Sequence, residues 1–280
     1  MTGERQHQKN ATCGVGGWKT SWKPIVLALL LCAGCKPPDE RLQTEGTLKD
    51  APLRIEPQRI VPGSSVEGRP IECLIFGQGE DIVLIMAMIH GNEPAGTPLV
   101  RQLADHLTER PGLLEGRMVL LMPIANPDGM ARGTRHNIHG VDLNRNFPAS
   151  NFHPTGNHGS SALSEPESVA IHRVLVTYKP DRIVSIHQPI NYGNACIDYD
   201  GPGEALAKAM AAQTDLPVKT LGGRPGSLGS FAGITLGIPI ITVELPKKAS
   251  NMSDELLWER YSGMLLAAIH FPEPFFAENG

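Results

Sequence analysis

The sequence predicts an α/β sandwich with a central mixed, largely parallel sheet flanked by helices. Two observations predict it. From Ile71 onward, apolar runs of strand length alternate with longer amphipathic segments, the pattern of a sheet with helices packed against it. The side chains best suited to chemistry, His90, Glu93, His187 and Glu244, stand at or just beyond the carboxyl ends of those runs, where open α/β sheets gather their ligands.

Taken in order, the strand candidates are Ile71–Phe76, Ile82–Ile89, Arg117–Pro123, Arg182–His187, Ala195–Tyr199 and Pro239–Leu245. The second is continuously apolar, as a strand buried on both faces should be. The helix candidates are Gly96–Glu109, Glu165–Tyr178, Gly203–Gln213 and Asp254–His270. Pro98 lies in the first turn of the first, where a missing N–H costs nothing. Ser164, with Glu167 three residues on, reads as a capping box opening the second.

The 280 residues allow one large domain or two small ones, and 41% hydrophobic residues supply a sizeable core. A net charge of −4 gives no electrostatic reason to expect nucleic acid. Arg5, Lys9, Lys19 and Lys23 precede the apolar run Ile25–Leu31, which leads into Cys32-Ala33-Gly34-Cys35. That order reads as a secretory signal over residues 1–34. The apolar run is well short of the roughly twenty residues that span a bilayer. Ala33-Gly34-Cys35 resembles a bacterial lipobox, implying export and a lipid anchor at Cys35 that holds the protein to a membrane of the cell envelope. Residues 35–62 are polar and carry Pro37-Pro38, so they read as a tether, with the catalytic domain over 63–280. Cys73 and Cys196 could pair in an oxidising compartment, or stand apart as core residues.

His90 and Glu93 close the run Ile82–Ile89, and a histidine and a carboxylate so placed can turn onto one cation. Zinc hydrolases often use two histidines and a glutamate, leaving one coordination position open. His187, at the end of Ile183-Val184-Ser185-Ile186, supplies the third ligand. Glu244 follows Ile240-Ile241-Thr242-Val243 and offers the base. A carboxylate buried there without a purpose would be costly. His153 and His158 fall in a Gly-, Asn- and Pro-rich loop and read as surface residues.

With these residues go Asn126-Pro127-Asp128-Gly129, Thr134-Arg135-His136-Asn137 and Gly140-Val141-Asp142-Leu143-Asn144-Arg145-Asn146-Phe147-Pro148. Together they resemble the M14 zinc carboxypeptidases, and within them the murein peptide amidases, from about Ile82 to about Pro246. The resemblance implies one Zn(2+) per chain and a small peptide or muropeptide substrate. It implies hydrolysis of an amide bond beside a free carboxylate, with γ-D-glutamyl-diaminopimelate bonds of murein as the target. By the same resemblance Asp142 holds the ring of His90, although an Asx turn would explain it as well. Arg135 stabilises the oxyanion, with Arg132 as its alternative, and Asn144 and Arg145 grip a substrate carboxylate. Residues 222–243 lack the tyrosine that often covers substrate in this family, Phe231 being their only aromatic. The alternatives are a general carboxypeptidase, a zinc deacylase of N-acyl amino acids, and a zinc-free module that binds cell-wall peptides.

Overall fold

The computed structural model describes residues 54–188 and 195–273. The signal, the Cys35 anchor and most of the tether lie outside the described residues. Eight strands form one sheet in the order β1-β2-β4-β3-β5-β8-β6-β7. They are β1 (Gln58–Ser64), β2 (Pro70–Gly77), β3 (Asp81–Ala87), β4 (Arg117–Met122), β5 (Arg182–His187), β6 (Cys196–Asp200), β7 (Val218–Lys219) and β8 (Ile240–Glu244). The centre, β4-β3-β5-β8, is parallel throughout. Antiparallel pairs flank it, β2 on β4 and β6 on β8. The sheet is therefore mixed and parallel at its core, as the sequence predicts.

Among the described residues, five α-helices flank the sheet: α1 (Gly96–Glu109), α2 (Pro127–Arg132), α3 (Pro166–Tyr178), α4 (Glu204–Ala211) and α5 (Asp254–His270). Side chains alternate across β3, so Val83, Ile85 and Ala87 join one core with α1, α4 and α5. Leu84 and Met86 join the other with α3, Leu143, Phe147 and Phe231. Each residue of β3 from Val83 to Ala87 is buried, which is why this stretch reads as unbroken apolar sequence. Truncating Leu84 to alanine would cost about 2–5 kcal/mol.

The structure corrects two expectations. Residues 58–62, assigned to the tether, belong to edge strand β1. Its register shifts between Ile60 and Gly63, around Pro62, and proline in a sheet is confined to such edges and bulges. The capping box at Ser164 does not form. Glu165 is the N-cap with Pro166 at the first helical position, because the residue before proline is held extended. Asn126-Pro127 opens α2, whose six residues are too few to show a helical period. Cys73 and Cys196 are separate buried thiols.

Candidate active site

The site begins where β3 stops. Met88 adopts φ 59°, a left-handed conformation that non-glycine residues seldom enter, and this ends the strand two residues before the predicted Ile89. The backbone N–H groups of Ala125 and Asn126 donate to the carbonyls of Ala87 and Met88 at 3.1 and 2.9 Å. These bonds lash the loop after β3 to the one after β4. Asn126 Oδ1 accepts from Gly129 N at 2.9 Å and caps α2. Gly91 lies so close to α2 that a Cβ there would come within 2.0 Å of the Gly129 carbonyl carbon. The His90–Glu93 turn is thereby wedged in place.

His90, Glu93 and His187 converge, each buried and offering one ligand atom, with these atoms within 4.8 Å of one another. The Nδ1 atoms of the two histidines are 3.2 Å apart. Glu93 places Oε1 2.9 Å from His90 Nδ1 and Oε2 3.0 Å from His187 Nδ1. Asp142 Oδ1 accepts from His90 Nε2 at 3.0 Å. Asp142 can only accept, so with a cation in the cluster the His90 proton would stay on Nε2 and leave the Nδ1 lone pair for the metal. Ser185 Oγ lies 3.0 Å from His187 Nε2 and orients that ring. Gln188 N donates to Glu93 Oε2 at 3.1 Å. Two imidazole lone pairs and a carboxylate aimed at one point form the donor set of a zinc site.

Burial opposes the charged form of Glu93, but His90 and His187 overcome it and hold the carboxyl well below the usual range. Burial likewise works against Asp142, where the His90 bond and the charges of His90, Arg135 and Arg145 prevail and lower its pKa.

Glu244 stands beside His187 in register on neighbouring parallel strands. Burial, and to a lesser extent the Glu93 charge, raise its pKa, with His187 opposing. Its Oε2 is buried without a hydrogen-bond partner among the described residues. An orphaned carboxylate oxygen beside a cluster of cation ligands fits a site built for a metal and a water. The residues present therefore suit zinc.

Arg135 donates from Nη1 to Glu93 Oε1 at 2.9 Å and from Nε to Asp142 Oδ2 at 3.3 Å. Arg132, its alternative, pairs with Glu67 at the surface. Asn144 Oδ1 accepts from Leu228 N at 2.8 Å, leaving its NH₂ to donate elsewhere. His90, Glu93, Arg135, Asn144, Arg145, His187 and Glu244 all border one cavity of about 270 Å³. Phe231 is buried near Phe147 and His172, so it is core and does not cover substrate. Asp198, Asp200 and Arg224 also line the cavity. Sequence reasoning gave them no role, nor one to Ser185 or Gln188. The signal for Ser185 was present, since residues two apart on a strand share a face.

Residues 47–206 match the family described as zinc carboxypeptidase, Peptidase_M14. The murein peptide amidase A of Escherichia coli K12 is 34% identical over 190 residues, 61% of this chain and 74% of that protein. That of Vibrio campbellii is 30% identical over 230 residues, 72% and 85% of the two chains. The chain belongs to the zinc carboxypeptidase family. It is accordingly a peptide hydrolase of the metallopeptidase type. The crystal structure of murein-tripeptide amidase MpaA from E. coli O157 superposes with a TM-score of 0.62 at 27% identity, covering 78% of this chain and 95% of that one. The family is zinc-dependent, in accord with the ligand set of His90, Glu93 and His187.

Proposed function

We propose that this chain is an envelope amidase that hydrolyses the bond between γ-D-glutamate and diaminopimelate in murein peptides. The observation that carries the chemistry is the unpartnered Glu244 oxygen beside the His90–Glu93–His187 cluster. The substrate follows from the names of the two relatives and from a cavity rich in arginine. One zinc ion per chain, held by His90, Glu93 and His187, would polarise the scissile carbonyl and lower the pKa of water.

Glu244 takes the proton of the attacking water and returns it to the departing amine. Its free oxygen beside the cluster is placed to accept that proton. Arg135 stabilises the negative charge that grows on the carbonyl oxygen. Asp142 and Ser185 keep the two imidazoles aimed inward. The Asn144 amide and the Arg145 guanidinium grip the carboxylate of the leaving residue, two parallel bonds being what the planar fork of arginine supplies.

Export and anchoring at Cys35 complete the reading. No helix among the described residues is long and apolar enough to cross a membrane. The test of function is incubation of the zinc-loaded protein with defined muropeptides, short L-peptides and N-acyl amino acids, followed by mass analysis. Release of diaminopimelate from the muropeptides alone supports the reading. Preferred cleavage of either other class would replace it.

A further inference from the structure

Gln188 follows His187 at the end of β5, and β5 is the middle strand of β3-β5-β8. Glu93 lies in the turn after β3 and Glu244 ends β8. Gln188 therefore stands between the carboxylate offered to the metal and the one placed as base. Its side chain is buried and borders the cavity, yet both ends of its amide are engaged by the protein. Oε1 accepts from the backbone N–H of Ala95 at 3.0 Å. Nε2 donates to Ser250 Oγ at 2.9 Å. The amide has one orientation, since the Ala95 N–H can only donate and so demands the oxygen.

The two bonds reach to opposite sides. Ala95 is two residues beyond Glu93 and is the N-cap of α1, where backbone N–H groups have no partner within the helix. It is buried, so without Gln188 Oε1 that donor would be stranded in the interior. The backbone N–H of Gln188 itself donates to Glu93 Oε2 at 3.1 Å. One residue thus grips both the carboxylate and the turn that carries it. On the other side, Ser250 belongs to the short 3-10 turn Lys247–Asn251 that follows β8. Leu245 N donates to the His187 carbonyl at 2.8 Å, which ties the backbone just beyond Glu244 to the same point of β5. Neither side-chain bond belongs to the sheet ladder. An apolar side chain would fill the volume without burying an amide, so packing alone does not account for a glutamine here.

We propose that Gln188 is a positioning residue that fixes the spacing between Glu93 and Glu244, and with it the distance from the metal site to the base. The Oε1 bond to Ala95 holds the ligand side, and the Nε2 bond to Ser250 holds the base side. This rests on the reading of Glu93 as a ligand and Glu244 as the base. Spacing matters there, because a misplacement of about 1 Å can cost about 100-fold in rate.

The test compares Gln188→Met and Ser250→Ala with the parent protein. Zinc affinity is measured by competition with a chelator, kcat and KM on the peptide cut fastest, and Tm by thermal unfolding. Methionine keeps the length of glutamine and loses both bonds. Zinc affinity and kcat should each fall about 10- to 100-fold, the range for a group that orients a ligand. Ser250 is exposed, and its alanine variant loses the base-side bond alone. Its kcat should fall about 10-fold at constant KM, with zinc affinity unchanged. A lower Tm in both variants, with zinc affinity and kcat unchanged, would mean a purely structural role and overturn the proposal. Weaker zinc binding in Ser250→Ala would overturn it too, because the two ties would then not be separate. If Gln188→Met does not fold, Ser250→Ala decides by the same criteria, and if no peptide is cut the zinc affinities decide. Glu93→Gln and Glu244→Gln are measured alongside. Unchanged zinc affinity in the first, or an unchanged rate in the second, would remove the reading on which the proposal rests. A silent Gln188→Met beside two impaired variants would remove the proposal alone.

Discussion

Glu244 and His187 are neighbours across two parallel strands, yet the site asks different things of them. His187 and His90 are placed to hold a cation, Glu244 to move a proton. His90→Ala or His187→Ala should therefore lose both zinc and hydrolysis. Glu244→Gln should keep zinc and lose about 10²–10⁴ in kcat. Metal analysis of the three proteins beside their rates checks this, and a Glu244→Gln protein without zinc would make Glu244 a ligand. Asp142→Ala should weaken zinc about 10- to 100-fold by freeing the His90 ring, which competition with a chelator measures. The proposed ligands and base were legible as candidates in sequence because each stands at the end of an apolar run, where a polar residue needs a reason. Asp198 and Asp200 were not. Alternating polar residues on a strand look the same whether they face a cavity or open solvent.

At the scale of elements, the turn carrying His90 and Glu93 is held by its contact with α2. Gly91→Ala would force a Cβ against the Gly129 backbone, which cannot swing aside as a side chain can. A loss of about 1–3 kcal/mol is expected, read as a lower Tm together with weaker zinc binding. A variant with unchanged Tm and zinc affinity would mean that the two loops part easily. Helices α1 and α5 were legible to the residue, because α1 carries its apolar side chains on one stripe, and α5 opens at Ser253, which caps it through Leu256 N, and ends in an apolar run buried on all sides. Helix α2 and strand β1 were not. The first is a single six-residue segment defined by its Asn126 cap, Pro127 and the left-handed Gly133. The second is an exposed edge whose pattern is broken by Pro62 and Gly63, and its pairing with β2 supplies what its composition does not.

For the whole molecule, alternation of strands and helices announced the sandwich but not the strand order. That order comes from long-range pairing, such as β3 between β4 and β5 and β8 between β5 and β6. It is what brings His90 and Glu93, His187 and Glu244, far apart in the chain, to one end of the sheet. Arg182 illustrates the dependence, since it is buried and joins Asp81 of β3 to the α5 carbonyls of Ala268 and Ile269. The proposed attachment to the envelope is a separate matter. Cys35→Ser should move the protein from the membrane fraction to the soluble one without changing its rate on muropeptides. Persistence in the membrane fraction would mean that something other than an acyl chain at Cys35 holds it. The most direct measurement is the kcat/KM of the zinc-loaded protein on L-Ala-γ-D-Glu-meso-diaminopimelate against an all-L tripeptide of equal length. Release of free diaminopimelate, faster than cleavage of the L-peptide by about 10²–10⁴, is the predicted result, because a site that pairs charged groups rejects analogues that leave them unpaired. Equal rates would contradict the account and make this chain a general carboxypeptidase.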